Sequence, residues 1–373
     1  MLLNIIKRMF SIAYSYFIYK NRIKENEKNM YFKYFNILEL KPSKFVCNKD
    51  FSISKDILIS VIKSYIEKYK SNKYIISLSG GVDSMVLLSI LSYLKCDVIA
   101  IHINYNNRVE TNREAEFIIE WCNLNNIKLY YKNITELTRD NSKRNLYEEK
   151  VRKIRFDLYK EVLKEENSKY ILLGHHKDDI IENIVSNILR GRNILNLKVM
   201  NETSEIDGVI IHRPFINIYK KEILNFAITN EIGYFKDTTP NWSIRGKYRN
   251  ELLPIINDIY GESYKENLLD IAEQGEDIKY FMDKEIDNFL INVNIFSDKI
   301  YFEIKNEYKL YPITFWKNLF IKIFINNNIE FMLSKKALIQ LYNGIQDKKD
   351  KNIALSNKLK CNIKNNILCI EFI

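Results

Sequence analysis

Cysteine, glycine and proline are scarce in this chain: 5, 10 and 5 residues among 373. The cysteines stand at 47, 96, 122, 361 and 369 and form no C-x-x-C pair. That spacing supports neither a zinc ribbon, nor a thioredoxin-like redox motif, nor the framework of a disulfide-stapled domain, and it suits a reduced compartment. There is no G-x-x-x-x-G-K-[ST] loop, which excludes that class of nucleotide hydrolase. The apolar run 9–19 is too short to span a bilayer and holds two serines, so stable membrane insertion is not expected. No small-residue cleavage site follows it, and no internal repeat stands out.

Basic residues are in excess, 57 Lys and Arg against 47 Asp and Glu, for a net charge of +10. This balance suits a polyanionic partner such as RNA or DNA. A Lys- and Asn-rich coding bias would produce the same excess. The first 24 residues carry five basic residues and no acid. They read as an ordinary amphipathic helix, which leaves the protein cytoplasmic, or as an organelle transit segment.

From residue 73 to 218, unbroken apolar runs alternate with helical patterns. Strands are expected at 74–78, 97–103, 128–134, 170–175 and 209–215. Helices are expected at 85–94, 113–126, 151–167 and 178–191. Buried strands alternating with helices predict a doubly wound parallel α/β sheet. Beyond Tyr260 the pattern changes to a long helix over 265–290, short strands, helices over 312–325 and 336–345, and a terminal hairpin-like pair. The expected organisation is an N-terminal extension (1–70), a catalytic domain (71–258), and a helical linker with a smaller α+β domain (259–373).

Two of the rare glycines are adjacent, in Ser79-Gly80-Gly81-Val82-Asp83-Ser84, between the first strand and the first helix. A helix N-terminus at a strand's carboxyl end offers N–H groups to an anion. Gly80 and Gly81 let the backbone turn and approach closely, and Ser79 and Ser84 add hydroxyls. A plain strand–helix turn capped by Asp83 or Ser84 would use the same residues. On the next expected helix but two, Asp179 and Glu182 are three apart and share a face, as a receptor for a cationic amino acid would require. Acids at a helix start also serve its dipole. His175 and His176 follow a strand end without a third ligand at useful spacing, so no metal site is assigned and both are read as lining the cleft.

The six-residue loop matches S-G-G-x-D-S, the signature of the ATP pyrophosphatases. The resemblance implies that Ser79–Ser84 hold the pyrophosphate of ATP, with Mg²⁺ neutralising the phosphates. Further segments resemble the tRNA(Ile)-lysidine synthetase family, well over residues 73–255 and weakly over 326–373. "HINYNNRVETNREAEFIIEWC" (102–122) is similar to its H-V-N-H-G-L-R stretch, with Arg108 and Glu114 in register. There the family places the nucleotide base at the position of His102. "VRKIRF" (151–156) is similar to A-R-x-x-R-Y through Arg152 and Arg155. "GHHKDDIIENIVSNILRG" (174–191) is similar to A-H-H-x-D-D-x-x-E-T. "HRPF" (212–215), "YFKDTTPN" (234–241, with Asp237 and Asn241) and "RGKYRNELLP" (245–254, with Arg245 and Arg249) complete the set. Gly246 and Asn250 depart from the pattern.

The resemblance implies adenylation of a cytidine in an isoleucine tRNA with a CAU anticodon, then attack by L-lysine. Asp83, Asp179, Glu182 and Arg152 would be catalytic. Arg108, Arg155, His175, His176, Asp237, Asn241, Arg245 and Arg249 would meet tRNA or substrate. A homodimer is compatible with it. A tRNA thiolase of the same superfamily, an amidating enzyme on a small molecule and an inactive tRNA-binding relative stay open as alternatives. The lysines at 348, 349, 351, 358, 360 and 364 are expected to carry part of the tRNA affinity through phosphate contacts.

Overall fold

A computed structural model describes residues 56–106, 111–134, 144–235, 243–296, 299–329, 333–347, 350–356 and 359–372. The chain divides into two compact units between Leu269 and Asp270, with Arg192–Leu197 grouped with the second.

In the first unit the alternating apolar runs become β1 (Tyr74–Ser77), β2 (Val98–Asn104), β3 (Lys128–Asn133), β4 (Tyr170–Leu172), β5 (Thr203–Ile206) and β6 (Val209–His212), in the order β3-β2-β1-β4-β6-β5. All neighbours pair in parallel except β5 with β6, which form an antiparallel hairpin. The doubly wound parallel sheet is therefore present, with one antiparallel strand at its edge. Strand β5 and the helix Lys220–Thr229 were not among the expected elements.

The interior strands are apolar without alternation because helices cover the sheet. Every residue of β2 is buried. The helix α1 (Ile57–Tyr69) falls in the expected N-terminal extension. It starts on the Asp56 cap and buries Leu58, Ile59, Ile62 and Tyr65 in the main core. The helix α2 (Val82–Tyr93) is apolar on almost all sides and buries nine of its twelve residues, as a helix wedged between sheet and neighbours must. The helices α3 (Thr111–Leu124), α4 (Arg144–Glu165), α5 (Lys177–Leu189) and α6 (Lys220–Thr229) complete the layers.

The chain winds outward from β1 through β2 to β3, then crosses back to place β4 on the other side of β1. The carboxyl ends of β1 and β4 thus flank the point where the winding reverses. An open α/β sheet leaves a crevice at such a point.

The second unit holds a five-stranded antiparallel sheet, ordered β7 (Asn294–Ile295), β8 (Lys299–Glu303), β11 (Ile367–Phe372), β10 (Leu359–Lys364) and β9 (Lys351–Ser356). The terminal pair expected from the sequence is a three-strand meander, β9 to β11. Trp316, Leu319, Phe320 and Ile323 from the helix Ile313–Asn326 pack with Leu341 and Ile345 from Lys335–Gln346, and with Phe302, Ile363 and Ile370 of the sheet.

Candidate active site

The crevice is a cleft of about 580 Å³ whose lining includes Ser79, Gly81, Asp83, Ser84, Gly174, His175, His176, Asp179 and Lys220. Its size falls within the range of small-molecule sites. Two short loops after β1 and β4 build its floor. They approach so closely that a Cβ on Gly174 would lie 2.9 Å from the Asp83 carbonyl carbon and 3.0 Å from the Ser84 nitrogen.

The first loop is held by its own hydroxyls. Ser79 N–H donates to Ser84 Oγ (3.2 Å), Ser84 Oγ–H donates to the Gly81 carbonyl (3.0 Å), and Gly81 N–H donates to Ser79 Oγ (3.3 Å). Gly80 has φ +83, a left-handed conformation, and its carbonyl accepts from Phe235 N–H at 2.8 Å. Gly81 is the N-cap of α2 and makes no side-chain capping bond. The bland alternative, a cap from Asp83 or Ser84, is not what forms. The helix start faces the cleft with its dipole uncapped, which suits a polyphosphate.

Asp83 is the acid at this loop. Lys220 Nζ lies 2.6 Å from each of its carboxylate oxygens. The same residue's backbone N–H donates to Asp178 Oδ2 at 2.7 Å, so Lys220 fastens α6 to both loops. Lys220 was missed in the sequence, where it is one lysine among many, 137 positions from its partner.

Asp179 and Glu182 do share the face expected of them, but they are not open to solvent as a pair. Arg249 donates from Nε to Glu182 Oε2 (2.8 Å) and from Nη2 to Asp179 Oδ1 (3.0 Å). Arg245 reaches both carboxylates as well, with Nε 2.9 Å from Glu182 Oε1. Asp179 Oδ2 also accepts from the His176 backbone N–H at 3.1 Å, closing the N-terminus of α5. Burial opposes ionisation of Asp179, but His176, Arg245, His175 and Arg249 outweigh it and hold its carboxyl at about 2.

His175 and His176 both line the cleft. Burial lowers both, His175 to about 4, so each ring is neutral at pH 7. His176 Nε2 sits 3.4 Å from Asp179 Oδ2 and 3.7 Å from Asp83 Oδ1. His175 Nδ1 accepts from Arg213 Nε at 3.3 Å. Arg155 also lines the cleft and donates to the Tyr105 hydroxyl at 2.9 Å.

Four expected residues among those described are absent from the cleft lining: Gly80 and Glu182, whose neighbours line it, and Arg152 and His102. Arg152 is more than half exposed and pairs with Asp207 at 2.8 Å. Its i+3 neighbour Arg155 points inward, because only one of the two positions faces the sheet. His102 is buried behind the loop, where its Nδ1 hydrogen-bonds the Leu78 carbonyl at 2.8 Å. Arg108, Asp237 and Asn241 lie outside the described residues, as do Lys348, Lys349 and Lys358. Gly246, one of the departures from the pattern, donates its N–H to the N-cap Ser243 Oγ at 2.8 Å, while Asn250 is on an exposed face.

The donor set fits a nucleotide polyphosphate: an uncapped helix start, two hydroxyls and a lysine. Among the described residues, no group of three His, Cys, Asp or Glu is disposed to hold a metal by itself. A Mg²⁺ carried in on phosphates needs only one or two protein carboxylates, and Asp83 is the one at the loop. Among the described residues no helix is long and apolar enough to cross a membrane.

A PP-loop domain family matches residues 55–256, more than half of the chain. The tRNA(Ile)-lysidine synthase of Chlamydia caviae is 28% identical over 240 residues, covering 64% of this chain and 74% of its own. That of Chlamydia trachomatis serovar L2 is 28% identical over 226 residues, covering 60% and 70%. Among solved structures, a U34-tRNA thiolase from Methanococcus maripaludis aligns at 21% identity and a TM-score of 0.44, over 59% of this chain and 80% of its own. The chain belongs to the PP-loop domain family, and it is similar to curated proteins named tRNA(Ile)-lysidine synthase.

Proposed function

We propose that this protein is a tRNA-modifying ligase that joins lysine to carbon-2 of the wobble cytidine of an isoleucine tRNA, using ATP. The observation that carries the reading is the make-up of the cleft: a phosphate loop beside a carboxylate and guanidinium cluster, with no thiol among the described residues that line it. A thiolase needs a sulfur carrier. Cys122 is buried, and burial pushes its thiol up to about 12; burial also raises Cys96. Neither cysteine lines the cleft.

In this reading the cytidine leaves the anticodon stack. Its O2 attacks the α-phosphorus of ATP held at Ser79–Ser84, the bond to the β-phosphate oxygen breaks, and pyrophosphate departs. Asp83 would hold Mg²⁺, which supplies charge neutralisation at the phosphates. Lys220 stands beside Asp83 and supplies a further cation to the same oxygens.

The lysine ε-amine then attacks carbon-2 and AMP leaves with O2. An ammonium has a reference pKa near 10.4 and must lose a proton first. Asp179, held at about 2, attracts an ammonium but is a poor proton acceptor. Glu182 is therefore assigned as the acceptor, with Arg245 and Arg249 giving up part of their hold as substrate enters. The second unit is assigned part of the tRNA affinity through Lys351, Lys360 and Lys364 and their neighbours.

The test uses purified full-length protein, bulk tRNA, ATP and labelled lysine. Label should enter tRNA with stoichiometric release of AMP and pyrophosphate. Absence of lysine incorporation alongside sulfur incorporation, or alongside tRNA binding without ATP cleavage, would overturn the reading in favour of a thiolase or an inactive relative.

A further inference from the structure

Arg213 directly follows β6 and is only 3% exposed, yet among the described residues it has no carboxylate partner. A buried guanidinium without a counter-ion is costly, and its bonds say what it is kept for. Nη1 donates to the Asn201 carbonyl and to Ser204 Oγ, both at 2.8 Å. These two bonds tie it to the β5 side of the edge hairpin and fix the plane of the fork. Nε donates to His175 Nδ1 at 3.3 Å. Arginine has no acceptor and does not deprotonate in proteins, so the direction of that bond is settled: Nδ1 must carry the lone pair.

We infer that Arg213 is a positioning residue that locks His175 as the neutral Nε2–H tautomer, so that the ring serves the cleft as a hydrogen-bond donor and not as a base. A proton on Nδ1 would face the Arg213 N–H head-on, and in a doubly protonated ring it would also set two positive charges in contact. The one nitrogen left to face the cleft carries a hydrogen. Such a group can donate to a phosphate oxygen or to the cytidine O2 as charge changes there. It cannot accept a proton from lysine. The surrounding charges act in the same sense or are outweighed. Burial, Arg213, Arg245 and the neighbouring His176 disfavour protonation of His175, and only Asp179 favours it.

The role assigned to the donor rests on the function proposed above; the tautomer lock does not. The chain has four histidines, which makes the imidazoles resolvable by long-range proton–nitrogen correlation on full-length protein labelled at histidine. His175→Gln assigns the ring. At pH 7 the ring lost in that variant should show a protonated Nε2 and a bare Nδ1, unchanged from pH 8 to 5.

In Arg213→Met the ring should titrate inside that window or populate both tautomers, and Arg213→Lys should restore most of the wild-type spectrum. Adenylation should follow: in Arg213→Met, kcat at pH 6 should fall about fivefold or more from its pH 8 value, against less than about twofold in the wild type, with the KM for ATP nearly unchanged. An Nδ1–H tautomer or a doubly protonated ring in the wild type at pH 7 overturns the inference. So does a titration unchanged in Arg213→Met. If Arg213→Met does not fold, the wild-type tautomer and Arg213→Lys decide. A correct tautomer without any adenylation would instead refute the proposed function and leave the lock standing.

Discussion

Gly174→Ala tests whether the two loops of the cleft must touch. The added Cβ would stand 2.9 Å from the Asp83 carbonyl carbon, and 3.0 Å from both Asp83 Cβ and the Ser84 nitrogen. Ordinary contacts begin at 3.4 Å, so one loop must retreat by about half an ångström (3.4 less 2.9). Two of the atoms met are backbone and the third is the Asp83 Cβ, which moves only with its backbone, so no flexible side-chain end can give way. Overpacking of this kind costs roughly 1–3 kcal/mol. At about 2–4 °C per kcal/mol for a domain of this size, the melting temperature should fall by roughly 2–12 °C. The functional loss should be larger than stability alone explains, because the displaced atoms open α2 at the phosphate loop. A misplacement near 1 Å costs on the order of 10²-fold in rate, so half of that implies about tenfold. Thermal unfolding and tRNA-dependent ATP–pyrophosphate exchange, both measured where the variant is fully folded, provide the two readouts. Wild-type exchange together with a wild-type melting temperature would show that the loops do not meet as described, and the account of the cleft floor would fail.

Two further outcomes follow from the charges. Lys220→Met should lower the exchange rate while changing stability little; a charge-assisted bond is worth about 1.5–3 kcal/mol, and this one is partly open to solvent. An exchange rate equal to wild type would remove Lys220 from the site. Acid should weaken the fold in two stages: from pH 6.5 to about 4 the unfolded chain takes up a proton that folded His175 refuses, and from 3.8 to about 2 Asp179 loses its ion pairs. The His175 stage alone amounts to about 3 kcal/mol, so urea midpoints should fall steadily with pH and His175→Gln should flatten the upper stage; a midpoint that rises on acidification would contradict the assignment.

The sheet and the phosphate loop were legible because their signals are local. Unbroken apolar runs mark the other parallel strands and the mixed, edge-lying Lys128–Asn133 marks β3, while Ser79–Ser84 lies between a run and a helical pattern. Strand β5 escaped notice because Thr203–Ile206 is short and largely exposed on an edge. Its turn is Asp207-Gly208, with φ of 51 and 75, an Asp-Gly pair that by itself signals a two-residue hairpin. The helix Lys220–Thr229 lies beyond residue 218, where the alternation of apolar runs and helical patterns ends, and between the motif segments 212–215 and 234–241. Lys220 and Arg213 were not singled out for a different reason. A lysine in a lysine-rich chain carries no signal, and an arginine's burial depends on which way the strand end faces, which neither composition nor periodicity records.

The acid pair shows where reading by spacing stops. A separation of three places Asp179 and Glu182 side by side on a helix whether or not anything lies opposite. What lies opposite is set by residues 66 to 70 positions away, the arginines at 245 and 249. Among the described residues, four carboxylates (Asp83, Asp178, Asp179 and Glu182) pair with four cations (Lys220, Arg245, Arg249 and Lys265) beside the cleft, and these ion pairs balance in charge. An ammonium arriving alone would have to compete with two guanidiniums that hold the carboxylates through several bonds each. An anion arriving first, such as a polyphosphate at the uncapped start of α2, gives those guanidiniums and Lys220 somewhere else to turn. Under the proposed function, Arg245 and Arg249, which close the carboxylates, would tie amine binding to nucleotide binding, a coupling that exists only in three dimensions.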